Sequence, residues 1–524
     1  MHSKILLPAF YAVLVYGSSN QNSDYTLHIN TKTPDSAVSV PADFFSFGFE
    51  TAFLNHFCND FSQNLVNSVG SRMSKPMILR VGGTSGDLVR FNKSQTEPTH
   101  CEGPFQCSHS SKNTYTLGPS YFDSFKWFSK TQMTFQAPIY PKAQPGNWTI
   151  ASMDYVRNAA KALGQDRIAG IALGNEPDYY KYDMKDYISR ALGLEDKIIK
   201  ELGLEGAEKS IFELGDIPNS VIKKGSNWGL TDILKDGINK NGFGKYAAQH
   251  FYQIDGQDDP SPDQRQALLM NHTAITSRFP PIDKSIKYIN DNENNLAYIL
   301  SETGSAIGAQ PVNFSASFGA ALWAVDFHLL AMTRGVKRIS NTMRPEATHS
   351  YWIPDNSGGS KTKGPVVHGI FASAPFIADF VGNGSVGKVV EIDVPGKPDL
   401  LSAYAMYNQE AKVIERLALV NLKEWYQGLG PKRGNATVSL DVGDGVHTAT
   451  IRRLHAQNGA AAMGLDLGDA DDNVTWAGEQ WTYTVDRGLG HIPTGHVIQE
   501  TVKAENGQVA VVVPDSEAII VIFN

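Results

Sequence analysis

IAGIALGNEP (168–177) ends an apolar run on a carboxylate set between an Asn and a Pro. Ile168 to Leu173 carries no charge, contains β-branched isoleucine and is closed by Gly174, which predicts a short buried strand. Glu176 then falls just past the strand's carboxyl end, where Pro177 forbids further sheet pairing and biases Glu176 away from helix. Barrel and α/β proteins place their chemistry at that address. A single Glu there still reads as a solvated turn residue. A second carboxylate with the same address changes the reading.

Working outward, seven more apolar runs share the texture of 168–174: FFSFGFE (44–50), MILRVG (77–82), MTFQAPIY (133–140), SIFELGD (210–216), YAAQHFY (246–252), LAYILSE (296–302) and VKRISNT (336–342). Helical stretches lie between them. SMDYVRNAAKALG (152–164) has Ser152 as a cap and Gly164 as a stop, and FGAALWAVDFHLLAMTRG (318–335) is apolar around most of its circumference. Apolar strands alternating eight times with helices predict a parallel sheet covered on its outside and closed as an α/β (β/α)8 TIM barrel. An open doubly wound sheet is the alternative, but no GxGxxG or GxxxxGK follows any strand.

Beyond about residue 383 the runs VGKVVEIDV, LLSAYAMY, VIERLALVNL, ATVSLDV, TATIRRL, WTYTVD, VIQETVKA and QVAVVVP follow one another with turns between them. They predict an all-β sandwich domain. The expected organisation is a signal peptide at 1–19, an N-terminal strand at 20–40 completing the sandwich, a catalytic barrel at 41–382 and the sandwich at 383–524.

The 524 residues are 41% apolar and 19% charged, the composition of an ordinary globular protein. A net charge of −8 gives no attraction to nucleic acid or anionic lipid. MHSK, then ILLPAFYAVLVYG, then SSNQNSD reads as a cleaved secretory signal, too short to span a bilayer. Sequons at Asn92, Asn147, Asn271, Asn313, Asn383, Asn435 and Asn473 fit an exported glycoprotein. Cys101 and Cys107 flank a short polar loop and are expected to form a disulfide, leaving Cys58 spare. No spacing of Cys or His matches a metal site, so no metal and no cofactor are expected.

The second carboxylate is Glu302, in YILSETGSA at the end of the seventh strand, on the same rim as Glu176. Two carboxylates converging on one sugar are what glycoside hydrolysis needs: one protonated for the leaving oxygen, one ionised for the anomeric carbon. Asn175 can hydrogen-bond a sugar hydroxyl. GNEP on strand four with a Glu ending strand seven resembles the clan A glycoside hydrolases. LRVGGTSGD (79–87), QHFYQ (249–253), SETGSA (301–306) and HSYW (349–352) narrow the resemblance to glycoside hydrolase family 79, above all its secreted microbial β-glucuronidases related to heparanase.

That resemblance implies Glu176 as acid/base and Glu302 as nucleophile of a retaining reaction. It implies Tyr252 as the tyrosine that hydrogen-bonds the nucleophile, Glu50 as a carboxylate against the sugar's hydroxyls, and Tyr351 as an aromatic lining the pocket. Family members often follow the nucleophile with a Tyr and glycines that receive the uronate carboxylate. This chain has Ile307, Gly308 and Ala309, which keep the backbone amides, Gly308 among them, and lose the hydroxyl. The expectation is a secreted exo-β-glucuronidase acting on glucuronic acid, with or without a 4-O-methyl group, on polysaccharide or proteoglycan side chains. Its partner is the carbohydrate substrate, with no nucleic acid, membrane or obligate protein partner. Rival readings are a clan A arabinofuranosidase or xylosidase and a non-catalytic carbohydrate-binding protein.

Overall fold

A computed structural model describes residues 23–524 apart from 104–112, 141–144, 181–182, 219–227, 255–259, 308–310, 357–362, 383, 385–386, 397–398, 431 and 468–471. The signal segment 1–19, Cys107, Gly308 and Asn383 lie outside the described residues. So does the Cys101–Cys107 bridge.

All eight barrel strands predicted from the apolar runs are present: β1 (Phe45–Glu50), β2 (Ile78–Gly82), β3 (Gln132–Ala137), β4 (Ile168–Leu173), β5 (Phe212–Pro218), β6 (Gly244–Ile254), β7 (Ala297–Ala306) and β8 (Ile339–Met343). They pair in parallel in chain order, and β8 returns to β1 with Met343 opposite Phe49, which closes the barrel. A helix follows each strand: α1 (Asp60–Gly70), α2 (Ser124–Trp127), α3 (Trp148–Leu163), α4 (Met184–Leu202), α5 (Leu230–Lys235), α6 (Pro280–Asn292), α7 (Phe318–Arg334) and α8 (Ser373–Val381). The period-2 alternation of β1 sorts its residues between two environments. Phe45, Phe47 and Phe49 face the helical layer, where Phe45 stacks on His328 of α7. Gly48 faces the lumen beside Ser340 and Arg80, and Glu50 shares its face. Every residue of α7 from Phe318 to Met332 is buried, as its all-round apolar sequence predicts.

The C-terminal part holds a three-stranded sheet of Ser23–His28, Asn435–Asp441 and Gln508–Pro514. Against it lies a larger sheet running Val38–Val40, Gly387–Ile392, Leu401–Asn408, Ile414–Asn421, Glu517–Phe523, Thr448–Ala456 and Val474–Trp476. Alternation in the larger sheet serves two cores: Ala403, Leu417, Leu419, Ile519 and Val521 meet Val438, Leu440 and Val511 of the small sheet. Tyr404, Met406, Ala418, Val420 and Ile520 join the barrel's core from the opposite face. This double burial leaves every residue from Leu401 to Tyr407 buried, all of them apolar or aromatic except Ser402.

The structure corrects four details. Helix α3 begins at Trp148, so Ser152 is not its cap; the Ser152 hydroxyl donates to the Trp148 carbonyl, 2.9 Å away. Strand β7 runs four residues past Glu302, to Ala306. WTYTVD is a turn rather than a strand, because Trp481 plugs into the core and donates to Ser68 Oγ at 2.7 Å. Glu517–Phe523, not among the predicted runs, pairs with both Ile414–Asn421 and Thr448–Ala456. Among the described residues no helix is long and apolar enough to cross a membrane.

Candidate active site

The carboxyl ends of the barrel strands gather a dense set of charges. Past β4, Gly174 turns with φ 82° where a Cβ would strike Ile139 at 2.4 Å, so glycine is required. Asn175 donates its backbone N–H to Asp87 Oδ2 (3.1 Å), and Asp87 Oδ1 accepts from the Ile139 N–H (2.9 Å), which ties the loops after β3 and β4 together. Glu176 is held at φ 45° by its own N–H, which donates to the Asp216 carbonyl at 2.8 Å. Asp216, within β5, is likewise left-handed at φ 48°. Two non-glycine residues in that region cost about 1–3 kcal/mol each and mark a functional site when their surroundings over-determine them.

His250 of β6 bridges the two expected carboxylates. Its Nδ1 lies 3.0 Å from Glu176 Oε1 and 4.0 Å from Glu302 Oε2, and its Nε2 lies 3.3 Å from Asp216 Oδ1. The two glutamates therefore meet at one nitrogen. Arg80 of β2 supplies the other cation: Nη1 donates to Glu302 Oε2 (3.2 Å), and Nη2 donates to Asn175 Oδ1 (2.9 Å) and Asp216 Oδ1 (3.1 Å). Tyr252, two residues beyond His250 on the same face of β6, donates its hydroxyl to Glu302 Oε1 at 2.8 Å. Glu302 is thereby gripped on both oxygens by donors. Glu50, ending β1, accepts from the Ser85 N–H (3.0 Å) and hydroxyl (2.5 Å), and a Cβ on Gly83 would come within 2.6 Å of its carboxyl carbon.

These surroundings set the ionisation states. Burial lifts the Glu176 carboxyl above its ordinary value; the hydrogen bond and charge of His250 oppose that rise, and the Glu302 charge adds to it. Burial would depress His250, but the Glu302 charge and the hydrogen bonds to Asp216 and Glu176 push it up to about 10, so it is an imidazolium at neutral pH. Burial would raise Asp216, yet the Arg80 charge and the His250 and Ser301 hydrogen bonds hold it below the usual carboxylate range. The site can hold one carboxyl near its protonated state beside another presented to a reacting atom.

The structure thus brings together Glu176, Glu302, Asn175, Tyr252 and Glu50. It does not bring Tyr351: that ring is 2% exposed behind the barrel wall, edge-on to Phe45 and Phe47, with its hydroxyl donating to Asn341 Oδ1 at 3.1 Å. From the same HSYW motif it is His349 that lies against Tyr252, with ring centroids 5.8 Å apart. Arg80, Asp216 and His250 were not singled out from the sequence. Asp216 shares the strand-end address of Glu176, and His250 shares a strand face with Tyr252. Of the sequons, Asn92, Asn147 and Asn313 are exposed, while Asn271, Asn435 and Asn473 are half-buried. Cys58 is half-buried, with its thiol directed at the Leu54 carbonyl. Among the described residues no cluster of three or more His, Cys, Asp or Glu is arranged to hold a metal ion.

The chain is similar along most of its length to known glycosidases. The chain is 27% identical over 507 residues to a β-glucuronidase of Neurospora crassa, covering 87% of this chain and 86% of that one. It is 25% identical over 553 aligned positions to a β-glucuronidase of Aspergillus niger, covering 98% of each. The fold superposes on a 4-O-α-L-rhamnosyl-β-D-glucuronidase of Fusarium oxysporum with a TM-score of 0.76 at 18% identity, over 95% of this chain and all of that one. A family 51 arabinofuranosidase of Xanthomonas axonopodis pv. citri shares the fold at a TM-score of 0.59 and 12% identity, over 96% and 100% of the two chains. Residues 403–520 match the glycosyl hydrolase family 79 C-terminal beta domain, and the resemblance to family 79 carried by the barrel motifs is borne out.

Proposed function

We propose that this chain is a retaining β-glucuronidase that removes terminal β-linked glucuronic acid, with or without a 4-O-methyl group, from polysaccharide or proteoglycan side chains. One observation carries the mechanism: two carboxylates meet at His250, one lifted by burial and the other held by Tyr252 and Arg80. A Glu302 oxygen attacks the anomeric carbon while Glu176 gives its proton to the leaving glycosidic oxygen, whose bond to that carbon breaks. Glu176, now a carboxylate, takes a proton from water. The water oxygen attacks the same carbon and expels Glu302, restoring both groups. Asn175 and Glu50 are the proposed partners of sugar hydroxyls.

The substrate follows from the two β-glucuronidases to which most of the chain aligns. The apolar amino terminus and the sequons support export as a glycoprotein. A panel of nitrophenyl glycosides tests the reading. Release from the β-glucuronide well above release from the α-arabinofuranoside and β-xyloside is expected. A preference for either of the latter would overturn the substrate, and turnover of none with retained glucuronide binding would make the chain a carbohydrate-binding protein.

A further inference from the structure

An anionic sugar entering this pocket meets Glu50, Glu176, Asp216 and Glu302, and the neutral backbone amides that the family resemblance offers its carboxylate do not offset those charges, whereas a cation not already committed to them would. Arg80 is committed, with both Nη atoms donating to Glu302, Asn175 and Asp216. His250 is committed, with its two nitrogens on Glu176 and Asp216. Ile307, the first residue past β7, offers no side-chain donor.

We propose that Arg344, the first residue past β8, binds the carboxylate of the uronic acid. The inference rests on the glycosidase reading of the same pocket and adds the residue that selects an acidic sugar. Its placement comes from register. In the β8–β1 pairing Thr342 stands opposite Gly48 and Met343 opposite Phe49, so Arg344 reaches the level of Glu50. Thr342 faces the lumen, where its hydroxyl lies 3.4 Å from that of Tyr252, and alternation turns Arg344 to the same side. β8 lies between β7 and β1 in the barrel, so Arg344 stands at the rim between the strands that carry Glu302 and Glu50. Ser350 fixes its backbone, donating its hydroxyl to the Arg344 carbonyl (2.8 Å) and accepting from the Arg344 N–H (2.9 Å). The side chain is only partly buried, and its charge is favoured by Glu346, Glu50 and Glu302. Yet among the described residues its guanidinium has no hydrogen bond and no ion pair within 4.0 Å. A planar fork on a fixed backbone, near carboxylates but bonded to none, suits a bidentate carboxylate ligand.

The test compares kcat/KM for nitrophenyl β-D-glucuronide and β-D-glucoside in the full chain and in Arg344→Gln and Arg344→Lys. Arg344→Gln should lose on the order of 10²-fold on the glucuronide, as expected when one partner of a bidentate, charge-assisted hydrogen-bonded pair is removed, and change little on the glucoside. Arg344→Lys should fall between, because it keeps the charge without the fork. Equal losses on both substrates, or no loss on the glucuronide, overturn the assignment. A parent chain that cleaves another glycoside and no glucuronide overturns the proposed function itself. As a measurement on folded protein with Arg344 intact, a crystal structure of Glu176→Gln with D-glucuronic acid bound should place the sugar carboxylate about 3 Å from the Arg344 guanidinium. A carboxylate held elsewhere, with Arg344 turned away, refutes the proposal.

Discussion

Replacing His250 with glutamine removes a buried positive charge that touches three carboxylates, and the cost follows from its ionisation. The side chain is 1% exposed, and its pKa stands at about 10 against an ordinary 6.5. With no solvent screening to discount, that difference corresponds to roughly 5 kcal/mol of folded-state stability at about 1.4 kcal/mol per pH unit. The figure agrees with the ~3–5 kcal/mol expected on breaking a buried ion pair. The sign is fixed by the direction of the shift. Because the folded pKa is raised, the contribution is complete below the unfolded value of 6.5 and is lost as pH rises through about 10. Urea unfolding of the parent and of His250→Gln, followed by tryptophan fluorescence, should show a gap of roughly 5 kcal/mol near pH 6. By about pH 9 the gap should have narrowed to between roughly 1 and 2 kcal/mol. A gap independent of pH, or one that widens toward alkaline pH, would show that His250 is not held as an imidazolium.

Two further substitutions probe the partners of the carboxylates. Tyr252→Phe removes the donor 2.8 Å from Glu302 Oε1; hydrogen bonds to charged groups contribute about 1.5–3 kcal/mol, so kcat/KM should fall roughly 10- to 100-fold with an unchanged circular dichroism spectrum. An unaltered rate would remove the tyrosine from the mechanism. Gly83→Ala puts a methyl 2.6 Å from the Glu50 carboxyl carbon at φ 87°, so it should displace Glu50 and raise KM by about tenfold or more through weakened sugar contacts. Unchanged KM would mean that Glu50 does not touch the sugar.

The barrel was legible because its strands are buried on both faces, which makes them short, mostly apolar runs, of which IAGIAL is uninterrupted. Glu176 and Glu302 were legible from their addresses on those runs, and Glu50 from the family resemblance. The charge network joining them was not. Arg80 meets Asp216 across 136 residues and Glu302 across 222, and only barrel closure sets those distances. His250 was within reach, since it sits two residues from Tyr252 on one strand face. Tyr351 was misplaced because turns and bends begin at residue 345 and run up to the short strand Trp352–Ile353, and there alternation no longer says which way a side chain points. The strand Glu517–Phe523 was missed although its apolar run is plain, while WTYTVD supplied aromatic and β-branched residues that serve core packing in a turn.

The assignment of roles to Glu176 and Glu302 is tested most directly by azide rescue with a nitrophenyl β-glucuronide. Nitrophenolate needs little protonation, so Glu176→Ala should still form the glycosyl-enzyme and then stall without a base to activate water. Azide needs no base. It should restore turnover in Glu176→Ala and give the β-glycosyl azide, whereas rescue of Glu302→Ala should give the α-azide by direct displacement. An α-azide from Glu176→Ala, or a β-azide from Glu302→Ala, would contradict the account and exchange the two roles.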